Sequence, residues 1–101
     1  MEFRFEALIQ GHGTVDVVEM NAMRLLEAFE DRYPHAGPSV GIDLKTRVLE
    51  VSFSASGASI EAAAGCARRM LLEVADVSGL ESVDLIGFAG QPEATEQALA
   101  S

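Results

Sequence analysis

The chain has 101 residues, 49% of them hydrophobic, and sets 7 Lys+Arg against 16 Asp+Glu for a formal charge of −9. That length holds one core and no second module, and the hydrophobic share with 3 prolines excludes a disordered solvating segment. The acidic balance, pI near 4.4, opposes binding to nucleic acid or to an anionic membrane surface.

The opening Met1-Glu2-Phe3-Arg4-Phe5-Glu6 places a charge at every second residue, unlike a secretory leader. No window approaches the roughly 18 apolar residues of a spanning helix. Cys66, the single cysteine, closes no intramolecular disulfide and suits a reducing compartment. A cytoplasmic protein is expected, with one domain over 1–90 and a polar C-terminal tail over 91–101.

Phe3, Phe5, Ala7 and Ile9 alternate with Glu2, Arg4, Glu6 and Leu8, which predicts a strand with one apolar face. Gln10-Gly11-His12-Gly13 breaks it. Thr14 then serves as an N-cap with Asp16 in the first turn, and Val15, Val18, Ala22, Leu25, Leu26 and Phe29 recur at helical spacing. Tyr33-Pro34-His35-Ala36-Gly37-Pro38 ends that helix. Val40, Ile42 and Leu44, then Leu49, Val51, Phe53 and Ala55, predict a hairpin turning at Lys45-Thr46.

Ser56-Gly57-Ala58-Ser59 breaks the chain again, and Ile60, Ala63, Ala64, Ala67, Met70, Leu71 and Val74 predict a second helix closed by Ser78-Gly79. Val83 to Phe88 reads as a last strand. The two halves match in pattern: Phe3, Phe5, Ala7 and Ile9 fall on Leu49, Val51, Phe53 and Ala55 at an offset of 46, and Thr14 falls on Ser59 at 45. Their side-chain identity is slight, so this is shared pattern and not a demonstrated duplication.

The order β-α-β-β-α-β resembles the ferredoxin-like α+β sandwich over residues 3 to 88. The resemblance implies a four-stranded antiparallel sheet in the order 4-1-3-2 with two helices on one face. It names no activity, because enzymes, RNA binders, metal carriers and regulatory modules share that fold.

Under this topology Gly11, His12, Gly13 and Thr14 meet the hairpin tip at Lys45 and Arg47 and the loop from Ser78 to Glu81. His12, Lys45 and Arg47 beside a helix N-terminus form the candidate site for a small anion or amino acid. Glycines that permit a turn and basic residues on a solvated tip explain the same residues without a ligand. No Walker lysine or GxGxxG is present, so no nucleotide or other cofactor is implied. His12 and His35 fall at opposite ends, without ligand spacing for a metal, and the loop after the first strand lacks the paired cysteines of metal-carrier versions of the fold. Cys66 has Arg68 and Arg69 nearby but no relay partner, and reads as a packing residue.

The residues out of phase with the core place Arg4, Glu6, Leu8, Val48, Glu50, Ser52, Asp43, Asp84, Ile86 and Phe88 on the outer sheet face. RNA-binding versions need aromatics and basic residues there. Leu8, Val48, Ile86 and Phe88 instead suggest a surface covered by a second copy or another protein. The leading expectation is a small, non-catalytic interaction or regulatory module, homodimeric through that face. One alternative is a dimeric α+β barrel around a small organic ligand, with Arg4, Glu6, Glu50 and Asp84 as pocket groups and cofactor-free activity. The other is anion or amino-acid sensing at His12.

Overall fold

Alternation along the first strand becomes a two-faced sheet because one set of side chains leaves water altogether. In β1 (Glu2–Gln10) Phe3, Phe5, Ala7 and Ile9 are buried. They stand opposite Ala55, Phe53, Val51 and Leu49 of β3 (Val48–Ser56), in an antiparallel ladder whose register puts apolar against apolar throughout. The computed structural model describes residues 1–80 and 83–92. The remaining elements are α1 (Val15–Arg32), a 3-10 turn at Pro34–Ala36, β2 (Ser39–Asp43), α2 (Ile60–Val77) and β4 (Leu85–Pro92). The result is an α+β architecture with one antiparallel four-stranded sheet in the order β2-β3-β1-β4, which is 4-1-3-2 read from the other edge.

Both helices begin where the sequence supplies a cap. Thr14 Oγ1 accepts from Val17 N and Ser59 Oγ accepts from Ala62 N, each satisfying an amide that the helix leaves open. From α1, Val18, Ala22, Leu25 and Phe29 join the core, and from α2 Ala63, Ala67, Met70, Leu71, Val74 and Ala75. The expected stripes also included Val15, Leu26 and Ile60, but Val15 and Leu26 are half-buried and Ile60 is exposed. At the centre the Phe29 ring lies 4.6 Å from Phe53, and Phe5 lies 6.4 Å from Phe53. Removing one of these rings would cost about 3–5 kcal/mol.

The last strand departs from expectation. β4 spans Leu85–Pro92, so Gln91 and Pro92 are ladder residues and not tail. The proposed tail from 93 to 101 lies outside the described residues. Between Leu8 and Ile9 the register shifts: Ile9 pairs with Leu85 but Leu8 with Gly87, leaving Ile86 as the extra residue of a bulge. Beyond the bulge the faces exchange, so Phe88 stands opposite Ala7 on the helix side. The expected outer-face position of Phe88 is therefore corrected: it packs against the core. Leu44, expected in the first hairpin strand, lies past the end of β2 in the turn and is exposed.

Candidate functional site: the outer sheet face and the loops at its end

The outer face is built from the other half of each alternation. On β1, Arg4, Glu6 and Leu8 stand opposite Ser54, Ser52 and Glu50 of β3 and opposite Gln91, Ala89 and Gly87 of β4. Gly87 and Ala89 project little side chain beside Leu8 and Glu6, and a shallow concavity of about 480 Å³ runs over β1 and β4. Leu8 and Val48 are half-buried here, and Ile86 is exposed at the bulge. Glu6 and Glu50 are exposed and lie on a diagonal, since Glu6 faces Ser52 and Glu50 faces Leu8.

Arg4 is committed to the fold. Its Nε donates to Ser52 Oγ (2.9 Å), Nη1 to Ser54 Oγ and to the Ala36 carbonyl (both 3.2 Å), and Nη2 to the Gly37 carbonyl (2.9 Å). The guanidinium thus reaches over β3 and ties the segment after α1 to the sheet. The planar fork suits this, because several fixed donors meet acceptors without a further rotamer change. Sequence spacing carried no signal for it, since two of the acceptors are backbone carbonyls more than 30 residues away.

The loops expected to converge do so. Gly11 N donates to the Arg47 carbonyl (2.8 Å), Gln10 Nε2 to the Thr46 carbonyl (2.9 Å), and Gln10 N to the Asp84 carbonyl (2.9 Å). A Cβ on Gly11 would sit 2.5 Å from the Arg47 carbonyl oxygen, so this glycine is required by close backbone approach. Gly79 and Leu80 join Gly11 and His12 around a cavity of about 350 Å³ with Ile9, Val18 and Leu49 on its walls. Residue 81 of the third loop lies outside the described residues.

The electrostatics of this end are not those of a basic pocket. His12 Nε2 lies 3.4 Å from Asp84 Oδ2, and both side chains are exposed. Asp84 therefore belongs beside His12, ahead of β4, and not on the outer sheet face where its phase had placed it. Asp43 Oδ1 accepts from Lys45 N (2.9 Å) and Thr46 N (3.4 Å), while Thr14 Oγ1 takes Val17 N at the head of α1. Lys45 and Arg47 are exposed, Arg47 at φ 59° in the turn. Asp84 beside His12 and Asp43 in the hairpin turn each lower the local potential near the basic residues.

Cys66 Sγ lies 3.9 Å from Met70 Sδ and packs at the edge of the core. Arg68 is held 5.4 Å from the centroid of the Phe88 ring. Among the described residues no group of three His, Cys, Asp or Glu side chains is placed to hold a metal ion, and no helix is long and apolar enough to cross a membrane.

A polar cluster that spacing did not reveal joins the end of α1 to the side of α2. The Tyr33 hydroxyl donates to Glu73 Oε2 (2.9 Å), and Arg32 Nη1 lies 3.4 Å from the same oxygen. The hydrogen bond to Glu73, then partial burial and the Glu73 charge, hold the Tyr33 phenol above its ordinary value of 10.0. Comparison of the chain with protein-family models, with curated proteins and with solved structures gives no match.

Proposed function

We propose that the chain is a ferredoxin-like, non-catalytic interaction module that pairs with a second copy of itself through the outer face of its sheet. The observation that carries this reading is the open concavity over β1 and β4. Both helices contribute to the core on the other side, and Leu8, Val48 and Ile86 lie toward the loop end of the open face. Two such faces set against each other would bury these apolar groups, with Glu6 and Glu50 of the central strands inside the interface and in need of polar partners across it. Arg4 would act as a rigid part of the surface, already fixed by its own bonds.

Light scattering on a sizing column at low and high salt tests the reading. The expected result is a species of about twice the 10.7 kDa chain mass that persists at high salt, because an apolar interface is little screened. Leu8→Asp with Val48→Asp should give a folded monomer. A wild-type monomer at every concentration overturns it.

A second reading uses the same concavity. Facing copies would enclose it as a pocket for a small organic molecule, with Arg4 and Glu6 on its walls, while Glu50 lies outside its lining and Asp84 no longer contributes. A rise in melting temperature with small amines, present in the wild type and absent in the monomeric variant, would support this pocket.

A further inference from the structure

We propose that the groove between α1 and β2 binds an extended peptide of a partner protein, alternating apolar and basic residues, as an added strand on the free edge of β2. Among the described residues β2 lies at one edge of the sheet with β3 as its one neighbouring strand. An edge presents a row of amide and carbonyl groups on its open side, which an extended chain can pair with. Beside it is a groove of about 360 Å³ lined by Val40 and Ile42 of β2, Met23 and Leu26 of α1, and Leu44.

The side chains along this groove are apolar and open. Met23 is 64% and Leu44 59% exposed, and Met20 on the same helix is 47% exposed. Strand addition would turn alternate side chains of the incoming segment toward Met23 and Leu44, where methionine adapts to varied partners.

Charge selects the occupant. Glu19 lines the groove and Asp43 ends β2, while among the described residues no Lys or Arg lines it. With a formal charge of −9, edge-to-edge pairing of two copies would bring acidic surfaces together, whereas basic residues on the outward phase of a peptide would meet Asp43 and, across Gly41, its β3 partner Glu50. The apolar groove lies on the helix side of the sheet, where Val40 and Ile42 pair with the buried Val51 and Leu49, so substitutions at Met23 and Leu44 leave the outer-face proposal untouched.

The test uses the whole chain and a synthetic peptide of about ten residues alternating Ile and Lys, long enough to span a strand. Two derivatives carry N-methyl groups, one on the Ile amides and one on the Lys amides. Because successive amides of a strand point to opposite sides, strand addition requires that one derivative bind at least about tenfold more weakly while the other keeps its affinity. Amide resonances of residues 39–44 should shift on binding. Met23→Ser with Leu44→Ser should weaken binding about tenfold by removing exposed apolar contacts, with little change in melting temperature. Equal behaviour of the two derivatives, or shifts spread over the acidic surface, overturns the proposal. So does concentration-dependent self-pairing of β2 in the absence of peptide, which would make a second copy the occupant.

Discussion

The Phe88 ring stacks on that of Phe5 with centroids 5.4 Å apart and planes 18° from parallel, while the Arg68 guanidinium lies 5.4 Å from the Phe88 centroid. β4 is thereby tied to both its neighbouring strand and the helix layer by one side chain.

Phe88→Ala should destabilise the chain by about 2–4 kcal/mol, somewhat below the value for a fully buried ring because Phe88 is only partly covered. Arg68→Ala removes the cation from the ring and should cost about 0.5–1 kcal/mol. Urea unfolding measures both. Neither variant should change the mass in solution, since Phe88 lies on the side opposite the proposed dimer face. A stable monomer produced by Phe88→Ala would contradict that placement.

Arg4→Lys tests the staple across β3. Lysine keeps the charge but cannot reproduce the fork that meets Ser52, Ser54 and the carbonyls of Ala36 and Gly37. Loss of these part-exposed hydrogen bonds should cost about 1–2 kcal/mol. Amide hydrogen exchange should quicken locally at residues 36 to 40 before the core opens. Uniform exchange across the chain would argue against a local tether.

Gly11→Ala places a methyl group 2.5 Å from the Arg47 carbonyl oxygen, a backbone atom that cannot rotate away. The hairpin tip must move, and the Gly11 to Arg47 hydrogen bond must lengthen. A destabilisation of about 1–3 kcal/mol is expected. Gly13→Ala is strained for a different reason, its φ of 97°, and has ordinary contact distances to Val17. A cross-peak shift at Arg47 and Thr46 in the Gly11 variant, absent in the Gly13 variant, would separate the two causes.

β1, β3 and the helices were legible because each buries one face, and burial forces a period on the sequence. Phe5 and Phe53 meet in register for that reason. β4 was less legible: Gly87 and Gly90 dilute its pattern, and the bulge at Ile86 exchanges its faces partway along, which no fixed period of two can express. Phe88 was misplaced by that exchange alone. The convergence of Gly11 with Arg47 followed from topology, but the character of the site did not, because Asp84 and Asp43 act through a loop carboxylate and a turn that have no period. Arg4 and the Tyr33 cluster were illegible for a related reason, since their partners are set by where separate elements end.

Tyr33 gives the chain a pH dependence whose sign is fixed by its partner. The neutral phenol donates to Glu73, and the phenolate would face the same carboxylate as a like charge, so the folded-state value lies above the ordinary 10.0. Stability from this bond is fully present below pH 10 and is lost as pH rises through the raised value. Tyr33 is the single tyrosine and the chain has no tryptophan, so the ultraviolet absorbance of phenolate reports its titration directly. Glu73→Gln keeps a side-chain acceptor but removes the charge and should bring the midpoint down toward 10. Arg32 lowers the Tyr33 value, so Arg32→Ala should move the midpoint up. A midpoint unchanged by both substitutions would mean that the hydroxyl does not sit on Glu73 in solution.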